Sequence, residues 1–341
     1  MKMHTRWIIV LIALIGFGAA AGEPAGAEAK WVAISDPVVK PLIASGQKLG
    51  YPGETAGVCV DPANGDVYMI VPGQGIWKSA DQGTTFARAD KGEIGGRCET
   101  GYALNMDPAG GGRLACFMLD GKCAMTLDAG ATWQPFAGVG RNWDYAAVDW
   151  SAKEPRNIFA ALHESGGKYY ISTDAGAHWT KMGEDKIFDK MGGVGIFDDK
   201  TLVMTKGEGI LRSVDAGATW TKVSDLTPNG RVVRVYKNVA YWLSAGGLLV
   251  STDKGATWNV QGSPTDATLG PWFKDENNLT AAGLKGVVET KDGGKTWSIV
   301  APLPEKFTMP KAGWFANVGW DPVHNVFYAS QMGKPTYRLQ K

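Results

Sequence analysis

The chain has 341 residues, and its 35 basic side chains face 34 acidic ones, so the net charge is close to zero. That balance excludes nucleic acid and an anionic membrane surface as main partners. Gly is abundant at 46 and Trp at 14, while helical periodicity is scarce, which reads as short strands joined by tight turns.

The first residues do not belong to the fold. Lys2, His4 and Arg6 precede the apolar run Trp7–Phe17, and small residues follow it. This is the pattern of a secretory signal, too short for a comfortable membrane anchor. Cleavage is expected after Ala21 or Ala27, which leaves a mature domain over 28–341. No Cys follows the apolar run to take a lipid, and no later stretch is long and apolar enough for a bilayer. The mature chain is expected to be a soluble monomer, secreted or periplasmic, with no membrane insertion after cleavage. The four cysteines are Cys59, Cys98, Cys116 and Cys123. An oxidising compartment permits two disulfides among them; four buried thiols are the equal alternative. Cys116 and Cys123 flank Asp120-Gly121, and a turn there would set them diagonally on one hairpin face.

Next comes a repeat. Ser79-Ala80-Asp81-Gln82-Gly83-Thr84-Thr85-Phe86 is the first of six octapeptides of one pattern. The others run Thr126–Trp133, Ser172–Trp179, Ser213–Trp220, Ser251–Trp258 and Thr290–Trp297. Their aspartates Asp81, Asp128, Asp174, Asp215, Asp253 and Asp292 are 47, 46, 41, 38 and 39 residues apart. That period is one four-stranded propeller blade. The residue types suit a hairpin turn. A carboxylate accepts turn amides, glycine supplies a positive φ, and hydroxyls bond locally to the backbone. The aromatic starts the next strand and wedges between blades. These aspartates are expected to be structural.

The octapeptide resembles the Asp-box, or BNR, repeat of sialidases, sortilin-type receptors, xyloglucanases and photosynthetic assembly factors. It covers nearly the whole mature chain. The resemblance implies an all-β propeller and leaves function open, because those relatives do unrelated things.

The first blade reads as Ala56–Asp61, Val67–Val71, Gly75–Ser79 and Thr85–Ala89. Similar inner-strand endings recur at Asp107-Pro108, Asp149-Trp150, Asp198-Asp199, Tyr236-Lys237, Phe273-Lys274 and Asp321-Pro322. Seven inner strands against six octapeptides predict seven four-stranded antiparallel blades. The last blade lacks an outer strand, and Lys30–Ile34 is expected to supply it, pairing both ends of the chain and removing the open seam.

In the families this chain resembles, the Asp-boxes face one side of the disc and functional residues the other. Carried over, the outer-to-inner connections offer Tyr51, Glu54, Arg97, Glu99, Arg141, Trp143 and Asp144. Asp189, Lys190, Arg231, Lys311 and Trp314 lie in later ones. The second-to-third turns add Asp120, Lys122, His163, Glu164, Lys206, Glu208 and Lys285. Arg97, Arg141 and Arg231 come from different blades and can grip one carboxylate or sulfate by forked hydrogen bonds. The alternative is that each arginine pairs with a local acid. Sialidases use an arginine triad with a Tyr nucleophile and an acid, roles for which Tyr51, Tyr145, Glu99 and Asp144 are available. No Arg-Ile-Pro motif opens the fold, however, which puts a sialidase in doubt. His163-Glu164 falls short of a metal site, since the four histidines lie far apart, and no cofactor is expected.

Two functions follow. One is non-catalytic binding of a glycan or an exported protein or peptide, with Trp143 and Trp314 as stacking platforms. The other is a glycoside hydrolase using Glu99 and Asp144 as acid and base.

Overall fold

The computed structural model describes residues 30–138, 143–163, 168–183, 192–205, 209–263, 266–305, 307 and 316–340. The expected signal peptide lies outside them. Seven four-stranded antiparallel sheets form the ring. Their inner strands are Val58–Val60, Leu104–Met106, Trp143–Val148 and Val194–Ile196, followed by Arg234–Tyr236, Ala267–Phe273 and Ala316–Asp321.

In the first blade, Val67–Val71 and Gly75–Ser79 fall where the sequence predicts them. The outer strand shrinks to Ala87–Arg88. The reason is local: the Thr85 amide donates to Asp81 Oδ1 at 2.8 Å, so it belongs to the turn. The second strands Val67–Val71, Leu114–Cys116 and Ile158–Leu162 are buried on both faces. Blades stack face to face, so these strands read as continuous apolar runs rather than as alternating ones.

The ring closes as the sequence predicts. Lys30–Ala33 pairs antiparallel with Tyr337–Gln340, from Lys30 opposite Gln340 to Ala33 opposite Tyr337. Beside this seam Thr55 Oγ1 lies 3.0 Å from Ser330 Oγ and 2.9 Å from Thr336 Oγ1, which ties blade one to blade seven. The helix Asp36–Ala44 was not expected from the sequence. Ser35 precedes it and Pro37 sits in its first turn, where a fixed φ and a missing N–H cost nothing. Its Val38 and Val39 pack on Met69 and Val71.

All six octapeptides fold alike. In the fourth, Ser213 Oγ donates to Asp215 Oδ1 at 2.8 Å, and the Gly217 amide donates to Ser213 Oγ at 2.8 Å. The Thr219 amide reaches Asp215 Oδ1 at 2.8 Å, and its hydroxyl reaches Oδ2 at 2.5 Å. In the third, His178 replaces the threonine and sets Nδ1 2.6 Å from Asp174 Oδ2. Each turn holds two consecutive residues of positive φ: Ala216 at 57° precedes Gly217 at 85°. The glycine also meets the preceding blade. A Cβ on Gly176 would lie 2.3 Å from the Phe136 ring.

The four cysteines are free thiols. The hairpin pairs Cys116 with Ala124. Cys123 therefore precedes the paired strand rather than standing diagonal to Cys116 in it, a correction to the expected arrangement; it packs against the cluster that holds Cys116, and its Sγ accepts the Met118 amide at 3.2 Å. Cys59, Cys98 and Cys116 share one apolar cluster, and burial pushes the Cys98 and Cys116 thiols well above their ordinary range.

Candidate functional site

Octapeptides join third strands to outer strands, so second-to-third turns and inner-strand starts lie at the opposite end of each blade. On that opposite rim the chain gathers Arg97, Glu99, Asp120, Asp144 and His163.

The inner strand of blade three positions Asp144. Trp143 pairs with Leu162 and Tyr145 with Ala161, so Asp144 is the extra residue of a β-bulge. Its carboxylate is fully buried, and Oδ1 lies 2.7 Å from His163 Nδ1. A carboxylate can only accept, so Nδ1 carries the proton. The Asp144 carbonyl accepts from Thr100 Oγ1 at 2.8 Å, which locks the bulge to the connection that carries Glu99.

Glu99 is 9% exposed. Burial raises its carboxyl above the usual range, Arg97 and His163 pull it down, and Asp144 pushes it up. Arg97 Nε lies 3.4 Å from Glu99 Oε2, a Coulombic contact without the angles of a hydrogen bond. Arg97 Nη1 pairs with Asp120 Oδ2, and the guanidinium sits 5.0 Å from the centre of the exposed Tyr51 ring. Backbone bonds between Arg97 and Leu119, at 3.0 and 2.8 Å, hold this loop against the second-to-third turn of blade two.

The rim therefore places a protonatable carboxyl, a buried carboxylate on an imidazole and a guanidinium within mutual electrostatic reach. Chemically it can accept hydrogen bonds from hydroxyls and move a proton at Glu99. Among the described residues, no group of three His, Cys, Asp or Glu side chains is placed to hold a metal ion.

Several expectations need correction. Trp143 is 3% exposed, its ring centroid 4.6 Å from that of Trp179 at a tilt of 41° and edge-on to Tyr170 at 5.7 Å, so it offers no face to a ligand. Its ring is covered by Tyr170 of the third strand and by Trp179, the aromatic of the same blade's octapeptide. Tyr145 is equally enclosed and donates to the Gly192 carbonyl at 2.5 Å, which removes it as a nucleophile. Arg97 is held by its local acids, and Arg231 lies 5.9 Å from the centre of the Tyr145 ring. The pairing alternative thus describes Arg97 better than a joint arginine grip does. Arg141, Glu164 and Trp314 lie outside the described residues, as do Asp189, Lys190, Lys206, Glu208 and Lys311.

No protein-family model matches the chain. It is 31% identical over 154 residues to the dispase autolysis-inducing protein of Streptomyces mobaraensis, covering 42% of this chain and 38% of that protein. It is 26% identical over 296 residues to a xyloglucanase of Hypocrea jecorina (strain QM6a), covering 78% of this chain and 29% of the enzyme. A solved GH74 enzyme of Niastella koreensis superposes with a TM-score of 0.58 at 16% identity, over 84% of this chain and 43% of that one. The chain spans less than half the length of each of these relatives. It is a seven-bladed propeller with xyloglucanase-type neighbours.

Proposed function

We propose that this chain is an exported propeller of the Asp-box type that binds a glycan on the rim opposite its octapeptide turns. The observation that carries the reading is the Glu99–Asp144–His163 cluster: two carboxyl groups from different blades, bulge-positioned, enclosed and beside a guanidinium. Glu99 and Arg97 reach the surface and can bond sugar hydroxyls, the buried Asp144 orders the cluster from beneath through His163, and Tyr51 supplies an exposed ring beside them. The xyloglucanase relative supports a saccharide over a peptide. Export rests on the basic and apolar opening of the sequence, and among the described residues no helix is long and apolar enough to cross a membrane.

A glycoside hydrolase is the second reading, favoured by one observation. Burial keeps Glu99 partly protonated above the usual range, which is what a general acid needs. Calorimetric titration with neutral, uronic, sulfated and sialylated oligosaccharides, alongside a reducing-end assay, separates the readings. Binding by wild type that weakens in Glu99→Gln and Asp144→Asn, without release of reducing ends, supports recognition. Turnover abolished by Glu99→Gln supports hydrolysis. Wild type that neither binds nor cleaves any of these removes the glycan reading and leaves the peptide one.

A further inference from the structure

On the ring axis, away from the rim cluster, lies a second charged site. The inner strand of blade five begins with Arg234, which is 6% exposed. Its guanidinium crosses the axis towards blade two, where Nη1 reaches the Met106 carbonyl at a long 3.5 Å and Cζ lies 5.8 Å from the centre of the Tyr102 ring. Nε has no hydrogen-bond partner. Among the described residues no carboxylate lies within ion-pair distance of it.

A buried guanidinium stays charged and is costly without a counter-charge. The nearby acids are occupied elsewhere. Asp107 Oδ2 pairs with Arg113 at 3.2 Å, and its Oδ1 accepts the Ala109 amide at 2.8 Å. Asp61 accepts the amides of Ala63 and Gly111 at 2.9 and 3.1 Å. The Cys59 thiol beside Arg234 is raised by burial and stays neutral.

Arg234 does not point into packed protein. It lines a cavity of about 30 Å³ walled by Val58, Leu104, Met106, Trp272 and Trp320. That volume admits a water-sized body or a small ion. Pro62, Asp107, Pro108 and Phe273 line both this cavity and a basin of about 460 Å³ beyond it, which also carries Lys237 and Lys274. Pro62 and Pro108 follow inner strands, so the basin opens on the octapeptide face.

We propose that Arg234 forms a binding site for one small monovalent anion, a halide or a carboxylate group, entered through the basin on the octapeptide face. The guanidinium supplies the charge and the unused N–H donor, and the largely apolar walls lower the local dielectric in which it meets an anion. Lys274 favours an anion at the entrance, Lys237 being paired with Glu276 at 2.7 Å, while Asp107 at the neck disfavours a doubly charged one.

The test is thermal unfolding of the full chain at constant ionic strength, with sodium gluconate replaced stepwise by chloride, bromide, formate or sulfate. Chloride, bromide and formate are expected to raise Tm by about 2 °C for each tenfold increase above their Kd, and sulfate is expected to do nothing. A response to halides but not formate assigns the site to a free ion, and a stronger response to formate assigns it to a carboxylate group. Arg234→Met is expected to abolish the response and to match wild type or exceed it in gluconate. Should that variant not fold, the anomalous signal of bromide in wild-type crystals decides, with a peak expected within 3.5 Å of the guanidinium. No anion-specific response in wild type, no such peak, or an undiminished response in Arg234→Met overturns the proposal.

Discussion

His163 donates from Nδ1 to Asp144 Oδ1 over 2.7 Å, and Asp144 is the one residue of its strand that the neighbouring strand leaves unpaired. The bulge and the imidazole therefore depend on each other: without the ring, a fully buried carboxylate loses this donor. Removing one partner of such a bond costs about 1–3 kcal/mol, and more when the orphan is charged. His163→Leu is expected to lower stability by about 2–3 kcal/mol in urea denaturation. A loss below about 0.5 kcal/mol would mean that the carboxylate is held in place by other groups.

The octapeptide aspartates favour the folded state while they are ionised. Hydrogen bonds from the Thr219 side chain and amide lower Asp215 to about 2, from an ordinary 3.8. A depressed carboxylate stabilises the folded state above its unfolded pKa, and that contribution is lost as pH falls through the folded value. Asp215→Asn is expected to be less stable than wild type at pH 7. The gap should narrow between about pH 4 and pH 2 and close below that. A gap independent of pH would show that the substitution acts by shape rather than by charge.

Asp107 has the opposite sign. Burial raises it to about 6, against a local amide and Arg113 that lower it. The folded state then holds a proton that the unfolded chain has released, so stability falls as pH rises from about 4 through about 6. Its ionisation costs on the order of 2–3 kcal/mol. The stability of Asp107→Asn relative to wild type should therefore grow across that window, measured by denaturant midpoints at several pH values. A flat difference would contradict the burial of this carboxyl.

Ala216 stands at φ 57° between Asp215 and Gly217, exposed, where the sixth octapeptide has Gly293 at φ 73°. The left-handed region costs a non-glycine residue about 1–2 kcal/mol, and glycine adds back about 0.5–1 kcal/mol of unfolded-state entropy. Ala216→Gly is expected to stabilise by about 0.5 kcal/mol, read from the midpoint of urea unfolding. A destabilised variant would mean that the alanine methyl makes a contact worth more than the strain.

What the sequence made legible was local chemistry repeated at a fixed period. Ser213, Asp215, Gly217 and Thr219 bond to one another within seven residues, so the chemistry of their turn is almost wholly local. The seam between Lys30–Ala33 and Tyr337–Gln340 followed from counting blades. The rim was legible only as a neighbourhood. Glu99, Asp144 and His163 meet through three separate connections, and the bulge that aims Asp144 depends on strand register, which no local pattern encodes. Arg234 was missed for a related reason. In an ordinary half-buried strand a lone charge marks the solvent face, but the inner strand of a propeller blade has little solvent face to mark.

The last prediction separates the two ends of the ring. Trp220 packs beside Phe159 with ring centroids 6.3 Å apart, and its Nε1 donates to Gly217 O at 3.0 Å, which closes its own octapeptide turn. It is half-buried, so Trp220→Ala is expected to cost about 3 kcal/mol, the low end for removing a large aromatic side chain. Saccharide affinity per folded molecule should stay within twofold of wild type, because the substitution lies on the far side of the disc from Glu99. Glu99→Gln should do the reverse. It removes a buried charge that burial already disfavours, so stability changes little or rises above neutral pH, while the loss of a charged acceptor weakens binding at least tenfold. Denaturation and calorimetric titration on the same two preparations give all four numbers. If Trp220→Ala lost affinity while still folded, or Glu99→Gln kept it, the binding surface would lie on the octapeptide side and the rim cluster would be a structural clasp between blades two and three.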